Sequence, residues 1–226
     1  MILFNYSKAG PEKKNSTISV EDKKVIAYHE CGHVIMSWFH EHSDLILKVS
    51  LLSRSKMNAF SQYLPTDRKL YSKEELFDQM CLYFGGRVAE QIVFNNYTTN
   101  SEQDLKKITR LAYAQVESFG MNEKVGNISF PTQQEEAQRG MIGKKPYSKK
   151  LRSIIDMEVN KLVSDAHKKA TNTISKHKDK LDLLANELIN KENLNYDDIV
   201  RLIGPPLNKT RYNLAKANLN TTSPVI

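Results

Sequence analysis

His29 and His33 stand four residues apart in a stretch whose apolar positions recur at helical spacing, and this arrangement constrains the chain more than any other feature. Val25, Tyr28, Gly32, Met36 and Phe39 follow one another at intervals of three and four, so Ser19 to about Glu41 reads as an amphipathic helix capped by Ser19. Positions i and i+4 of a helix share a face, so both imidazoles can hold one zinc ion while Glu30 reaches a bound water as general base. With 6 His in 226 residues, a His29-Glu30-Cys31-Gly32-His33 pattern arises in about one of a hundred random chains of this composition. The competing reading is two surface histidines on an ordinary helix.

A metal bound here needs a third protein ligand. The two cysteines, Cys31 and Cys81, cannot build a thiolate zinc site or a disulfide framework, which points to reducing surroundings and to nitrogen and oxygen donors. Cys31, two residues beyond His29, points away from the ligand face and reads as packing. A metzincin would place Gly and His where this chain has Met36 and Phe39. A zincin with a glutamate ligand would place it about twenty residues after His33, but no Glu lies between Glu41 and Glu74. The ligand must come from farther along, with Glu90 and Asp104 both well placed. Asp104 could equally be a carboxylate favoured at a helix start.

The surrounding chain reads as mainly helical. Ile46–Leu52 and Ala59–Leu64 form two strands of a hairpin. Ser72 and Glu75 make a capping box for a helix through Leu76, Met80, Phe84, Val88 and Ile92, whose Gly85-Gly86 pair suggests another backbone packed close by. A third helix is expected from Ser101, as cap, to Gly120, followed by a long loop over 120–147. Leu151 to Ala170 then carry one apolar stripe, followed by Leu181, Leu184 and Leu188 and an Asn195-capped segment that Gly204-Pro205-Pro206 ends. The expected division is a linker over 1–18, a domain over 19–206 with its catalytic part at 19–130 and C-terminal helices at 148–204, and a disordered tail over 207–226.

Composition narrows the partners. The chain is 40% hydrophobic with mean hydropathy −0.52, and 33 basic against 26 acidic residues give a net charge of +7 from interspersed Lys, Glu and Asp. That pattern reads as solvated helix faces, and no aromatic cluster alternates with Arg and Lys, so no nucleic-acid partner is expected. No stretch approaches the roughly 20 apolar residues of a membrane helix, and no P-loop motif occurs. His40, His42, His167 and His177 are expected to hold no metal, with His40 and His42 facing the dipole at a helix end.

One combination is more specific than any of these parts. Ala27-Tyr28-His29-Glu30-Cys31-Gly32-His33, then Gln62-Tyr63-Leu64-Pro65, Gly85-Gly86-Arg87-Val88-Ala89-Glu90, Asp104-Leu105 and Phe119-Gly120-Met121-Asn122-Glu123-Lys124-Val125-Gly126 stand in one order. Together they resemble the peptidase domain of FtsH-type ATP-dependent zinc metalloproteases, nearest the paraplegin-like branch that faces the mitochondrial matrix, over roughly 8–206. The resemblance implies a mainly α fold with a small sheet edge beside the active site. It also implies Zn2+ as cofactor on His29, His33 and Asp104, Glu30 as catalytic base, and Glu90 beside the site, supporting a ligand. An extended, unfolded polypeptide would add as a strand along Ala59, Phe60, Ser61, Gln62 and Tyr63. Hexameric rings, a preceding ATPase module with membrane segments, and a place at the mitochondrial inner membrane on the matrix side are implied likewise.

Departures from the family pattern fall at Ser55, Met57, Ala59 and Asn100, where the family usually carries glycine. They bear on substrate docking more than on metal binding, and if those positions need φ > 0, Asn100 is the mildest change. The first reading is a zinc endopeptidase domain, separated from its ATPase module as an excised domain, a partial product or a dependent subunit. A second is a non-catalytic ring subunit that keeps the zinc motif, and a third a basic helical nucleic-acid binder in which the motif is accidental.

Overall fold

A computed structural model describes residues 19–51, 59–64, 70–131 and 147–208. The expected linker over 1–18, the hairpin residues Ser55 and Met57, and the tail from 209 onward lie outside these residues.

Helix α1 spans Val20–Phe39, and the Ser19 hydroxyl accepts the Asp22 amide at 3.0 Å, so the cap is where its residue type puts it. From Ile26 to Trp38 the helix is buried almost all round. That differs from the amphipathic stripe expected. Ala27, Cys31 and Ser37 are small enough to be covered on the faces that periodicity would leave to solvent, and packed elements cover them.

Strands β1 (Ile46–Ser50) and β2 (Phe60–Tyr63) pair antiparallel with Val49 opposite Ser61. The hairpin is therefore as expected, but a third strand, β3 (Asn193–Asn195), pairs with the other edge of β1 and gives the order β2-β1-β3. Asn-Leu-Asn has no strand-forming composition, and the pairing exists because a distant helix delivers it. Among the described residues β2 is thus an edge strand.

Helix α2 (Lys73–Phe94) opens with the Ser72–Glu75 capping box, both arms formed, and packs on α1. Its glycine pair has the reason the sequence suggested. A Cβ on Gly85 would lie 2.6 Å from the Gly32 carbonyl oxygen, so the two helix backbones touch where neither has a side chain. Helix α3 (Glu102–Tyr113) follows a 3-10 turn over Thr99–Ser101 and continues into a single π turn over Ala114–Ser118 before Gly120 at φ +63°.

Ser101 does not cap α3. Its hydroxyl donates to the Thr98 carbonyl at 3.3 Å and accepts from Arg87 at 3.2 Å, while Thr98 caps the 3-10 turn by accepting the Asn100 amide. Asn100 is not left-handed, so the glycine it replaces is not required there for φ > 0.

Among the described residues, helices α4 (Lys149–Lys176), α5 (Lys178–Lys191) and α6 (Tyr196–Ile203) follow, with His177 breaking α4 from α5. Their apolar positions Ile155, Ala166, Ala170, Leu181, Leu184 and Ile199 join one core with α1 and α2. Gly204 ends α6 and its carbonyl accepts the Trp38 indole N–H at 2.7 Å. Among the described residues no helix is long and apolar enough to cross a membrane.

His40 is not left at the dipole of α1. Its ring is buried between Asp78, 3.2 Å from Nδ1, and Thr173, 3.1 Å from Nε2, and Lys169 reaches the same Asp78 oxygen at 2.7 Å. Burial pushes the Asp78 carboxyl up, but the hydrogen bonds from His40 and Lys169 outweigh it and hold the group at about 2 against an ordinary 3.8. A depressed carboxylate stabilises the fold above its unfolded pKa, and the contribution is lost as pH falls through the folded value. Asp78→Asn is accordingly expected to cost about 2 kcal/mol in urea titrations above pH 4, with the gap from wild type closing toward pH 2. A gap independent of pH would contradict the charge-based account.

Candidate active site

Two turns of α1 place His29 and His33 on the side facing α2, and α3 brings Asp104 across to them. The Nε2 atoms of the two histidines are 3.2 Å apart, and Asp104 Oδ2 lies 3.3 Å from that of His29 and 3.2 Å from that of His33. All three residues are buried. Donors about 2.0 Å from a tetrahedral zinc ion stand about 3.3 Å from one another, so the three atoms have the spacing of one face of that tetrahedron. The donor set fits the ion.

The other ring nitrogens are committed elsewhere. Nδ1 of His29 donates to Glu90 Oε1 at 2.7 Å, and Nδ1 of His33 donates to the Leu82 carbonyl at 2.8 Å. When both rings are neutral with the proton on Nδ1, their Nε2 lone pairs converge, an arrangement typical of metal-ligating histidines. Glu90 is fully buried, and its second oxygen accepts the Thr98 amide at 2.7 Å. Gly86 lies under the His29 ring, where any Cβ would collide with it.

The electrostatics show a pocket with excess negative charge. Burial pulls the His29 imidazolium down, but hydrogen bonds to Asp104 and Glu90 and the charge of Glu30 push it up to about 9. Burial raises the Asp104 carboxyl, yet the two imidazoles and Lys107, 2.9 Å from its other oxygen, hold it far below the ordinary carboxylate range. A proton raised onto His29 in this way would sit on Nε2 and offset part of the carboxylate charge. Zinc takes neutral imidazole, so its binding would expel that proton.

Glu30 lies beside this triangle, and its Oε2 accepts a hydrogen bond from the Ser61 hydroxyl. Ala59 is buried just before β2, and Ser61, Gln62 and Tyr63 run along the edge strand beside α1. Burial together with the Glu30 and Asp104 carboxylates pushes the Tyr63 hydroxyl well above its ordinary 10, so it stays protonated as a hydrogen-bond donor at neutral pH. The structure brings His29, His33, Asp104, Glu30 and Glu90 together, adds Thr98 and the Leu82 carbonyl as supports that were not singled out, and gives Ser61, expected only to line a substrate strand, a hydrogen bond to Glu30. Thr98 and the Leu82 carbonyl carried no sequence signal of their own.

A further group of donors within 4.8 Å of one another, His40, Asp78 and Cys81, is differently furnished. Lys169 already supplies its cation, and burial pushes the Cys81 thiol up to about 12, with its S–H directed to the Ala166 carbonyl.

The site is thus two buried histidines of an HExxH pattern and a converging buried aspartate in a mainly helical domain. Residues 16–202 match peptidase family M41, and the chain belongs to that family. It is 45% identical over 196 residues to the mitochondrial inner membrane m-AAA protease component AFG3L2 of Mus musculus, an alignment covering 87% of this chain and 24% of that protein. It is 41% identical over 198 residues to the ATP-dependent zinc metalloprotease FtsH of Rhodothermus marinus (87% and 28%), and 40% over 198 residues to the m-AAA component YTA10 of Saccharomyces cerevisiae (87% and 26%). The chain spans about a quarter of the length of these relatives.

Proposed function

We propose that this chain is a zinc-dependent endopeptidase domain with His29, His33 and Asp104 as metal ligands, Glu30 as general base and Glu90 as the group that orients His29. The observation that carries the reading is the convergence of three buried donors at 3.2 to 3.3 Å while both Nδ1 atoms are held by acceptors. When bound, zinc supplies Lewis acidity, polarising the scissile carbonyl and acidifying the attacking water. Glu30 takes the proton of that water on a carboxylate oxygen and returns it to the leaving amine. The outer edge of β2 offers main-chain donors and acceptors to an extended peptide, which fixes the scissile bond without reading its side chains.

The substrate class that fits is unfolded or membrane-extracted polypeptide. By likeness to m-AAA components and to FtsH, the domain would work in a homo- or hetero-hexamer, with an ATPase module in the same protein or in partner subunits. The proposed location is the mitochondrial inner membrane, which the names of AFG3L2 and YTA10 carry, with the domain on the matrix side.

Metal analysis of the purified chain is expected to return one zinc ion per protein, and zinc removal by a chelator to abolish hydrolysis of unfolded casein. Asp104→Ala should bring the zinc content far below one. Full zinc occupancy in Asp104→Ala would remove the aspartate from the ligand set, and absence of zinc from wild type would end the metallopeptidase reading. Glu90→Gln keeps the shape and loses the charge behind His29, so zinc affinity should fall by about 10–100-fold without unfolding. An unchanged affinity in competitive chelator titrations would exclude that supporting role.

A further inference from the structure

Ser61 links the edge strand to the carboxylate beside the metal ligands. Its backbone stands opposite Val49 in the ladder between β2 and β1, so the sheet fixes where its side chain begins. Its hydroxyl donates to Glu30 Oε2, and among the described residues no other side chain hydrogen-bonds that carboxylate. The neighbouring ligands need no such help. His29 is clamped by Glu90 and Gly86, and His33 by the Leu82 carbonyl, whereas Glu30 is a side chain of three rotatable bonds at the margin of the site.

We propose that Ser61 is a positioning residue for the hydrolytic step: its hydroxyl holds Glu30 Oε2 and thereby presents Oε1 to the attacking water. This rests on the assignment of Glu30 as general base. The proton travels from water to Oε1 and then to the leaving amine, while the Ser61 hydroxyl keeps its own hydrogen throughout. Because β2 is also the edge on which an extended peptide would add, seating the substrate and aiming the base become properties of one strand. A base held within hydrogen-bond reach is what makes proton transfer efficient, and a shift of about 1 Å in such a group is enough to cost up to about 100-fold.

The test uses the zinc-loaded chain as wild type, Ser61→Ala, Ser61→Thr and Glu30→Gln. Three quantities are read on each: zinc content, cleavage of an internally quenched unstructured peptide, and calorimetric affinity for a peptide hydroxamate, whose tight binding needs a base to take its proton. Ser61→Ala should keep its zinc, lose about tenfold in kcat with KM within about twofold, and bind the hydroxamate about tenfold more weakly. Ser61→Thr, which keeps the hydroxyl, should stay within about twofold of wild type on all three. On a Glu30→Gln background, Ser61→Ala should change neither rate nor hydroxamate affinity further.

Wild-type behaviour of Ser61→Ala would overturn the proposal. So would a Ser61→Thr as weak as Ser61→Ala, which would mean packing, or a loss confined to KM, which would mean docking alone. Glu30→Gln turning over the peptide and binding the hydroxamate like wild type would instead overturn the assignment of the base, a result separable from all of these.

Discussion

Glu30→Gln is expected to bind zinc and unfold at the wild-type temperature while hydrolysing peptide about 10²–10⁴-fold more slowly. The two side chains are nearly isosteric, and the amide oxygen can still accept the hydrogen bond from Ser61, so the surroundings of position 30 remain filled. What is lost is the capacity to take a proton. His29, His33 and Asp104 do not depend on Glu30 for their mutual spacing, which comes from α1, α3 and the anchors on α2. Rates are best compared on an unstructured peptide, and again on casein with the chain joined to a matching ATPase module. Equal inactivity of wild type and variant in both assays would favour the non-catalytic ring subunit, and equal activity would remove Glu30 from the chemistry.

Gly32→Ala should be the most damaging single methyl group in the domain. A Cβ at position 32 would meet the Gly85 carbonyl, 2.7 Å from its carbon and 2.8 Å from the Ala89 Cβ. The obstacle is helix backbone, so no side chain can swing away, and α1 and α2 must separate. Alanine gains about 1 kcal/mol over glycine in a helix, which offsets only part of an overpacking cost of about 3 kcal/mol or more. A net loss of about 2 kcal/mol is expected in urea titrations. The separation also carries a functional signature, because His29 and His33 ride on α1 while their anchors, Glu90 and the Leu82 carbonyl, ride on α2. Zinc affinity should therefore fall together with stability. Wild-type stability and zinc affinity in Gly32→Ala would show that the helices can separate without cost.

Much of the fold follows from short-range patterns. Ser19 and the Ser72–Glu75 pair start helices where they do because a hydroxyl or carboxylate three residues away can satisfy an otherwise unpaired amide. Gly204 and Gly120 stop chain segments because they take positive φ without strain. Where such reasoning failed, a longer-range partner won. Ser101 has the residue type of a cap, but Arg87 and the Thr98 carbonyl occupy its hydroxyl. His40 sits at a helix end in sequence, but Asp78 and Thr173 draw it inside. β3 has no strand signal of its own and exists through its pairing with β1.

The site divides along the same line. Helix geometry alone puts His29 and His33 on one face with Glu30 beside them, because an i, i+4 spacing is a local fact independent of the rest of the chain. The choice between Glu90 and Asp104 is not local. Both carboxylates reach His29, and local spacing treats them alike, so that only the family resemblance favoured Asp104; tertiary structure puts Glu90 on Nδ1 and Asp104 on Nε2, between the two imidazoles. The contact of Gly32 with Gly85 sets the approach of α1 to α2, and the turn at Thr98 directs α3 across them. Sequence by itself determined the helix that carries the histidines and the kind of chemistry they can support. Which carboxylate faces Nε2 was decided only by how three helices pack, since that depends on backbone distances between segments far apart in the chain.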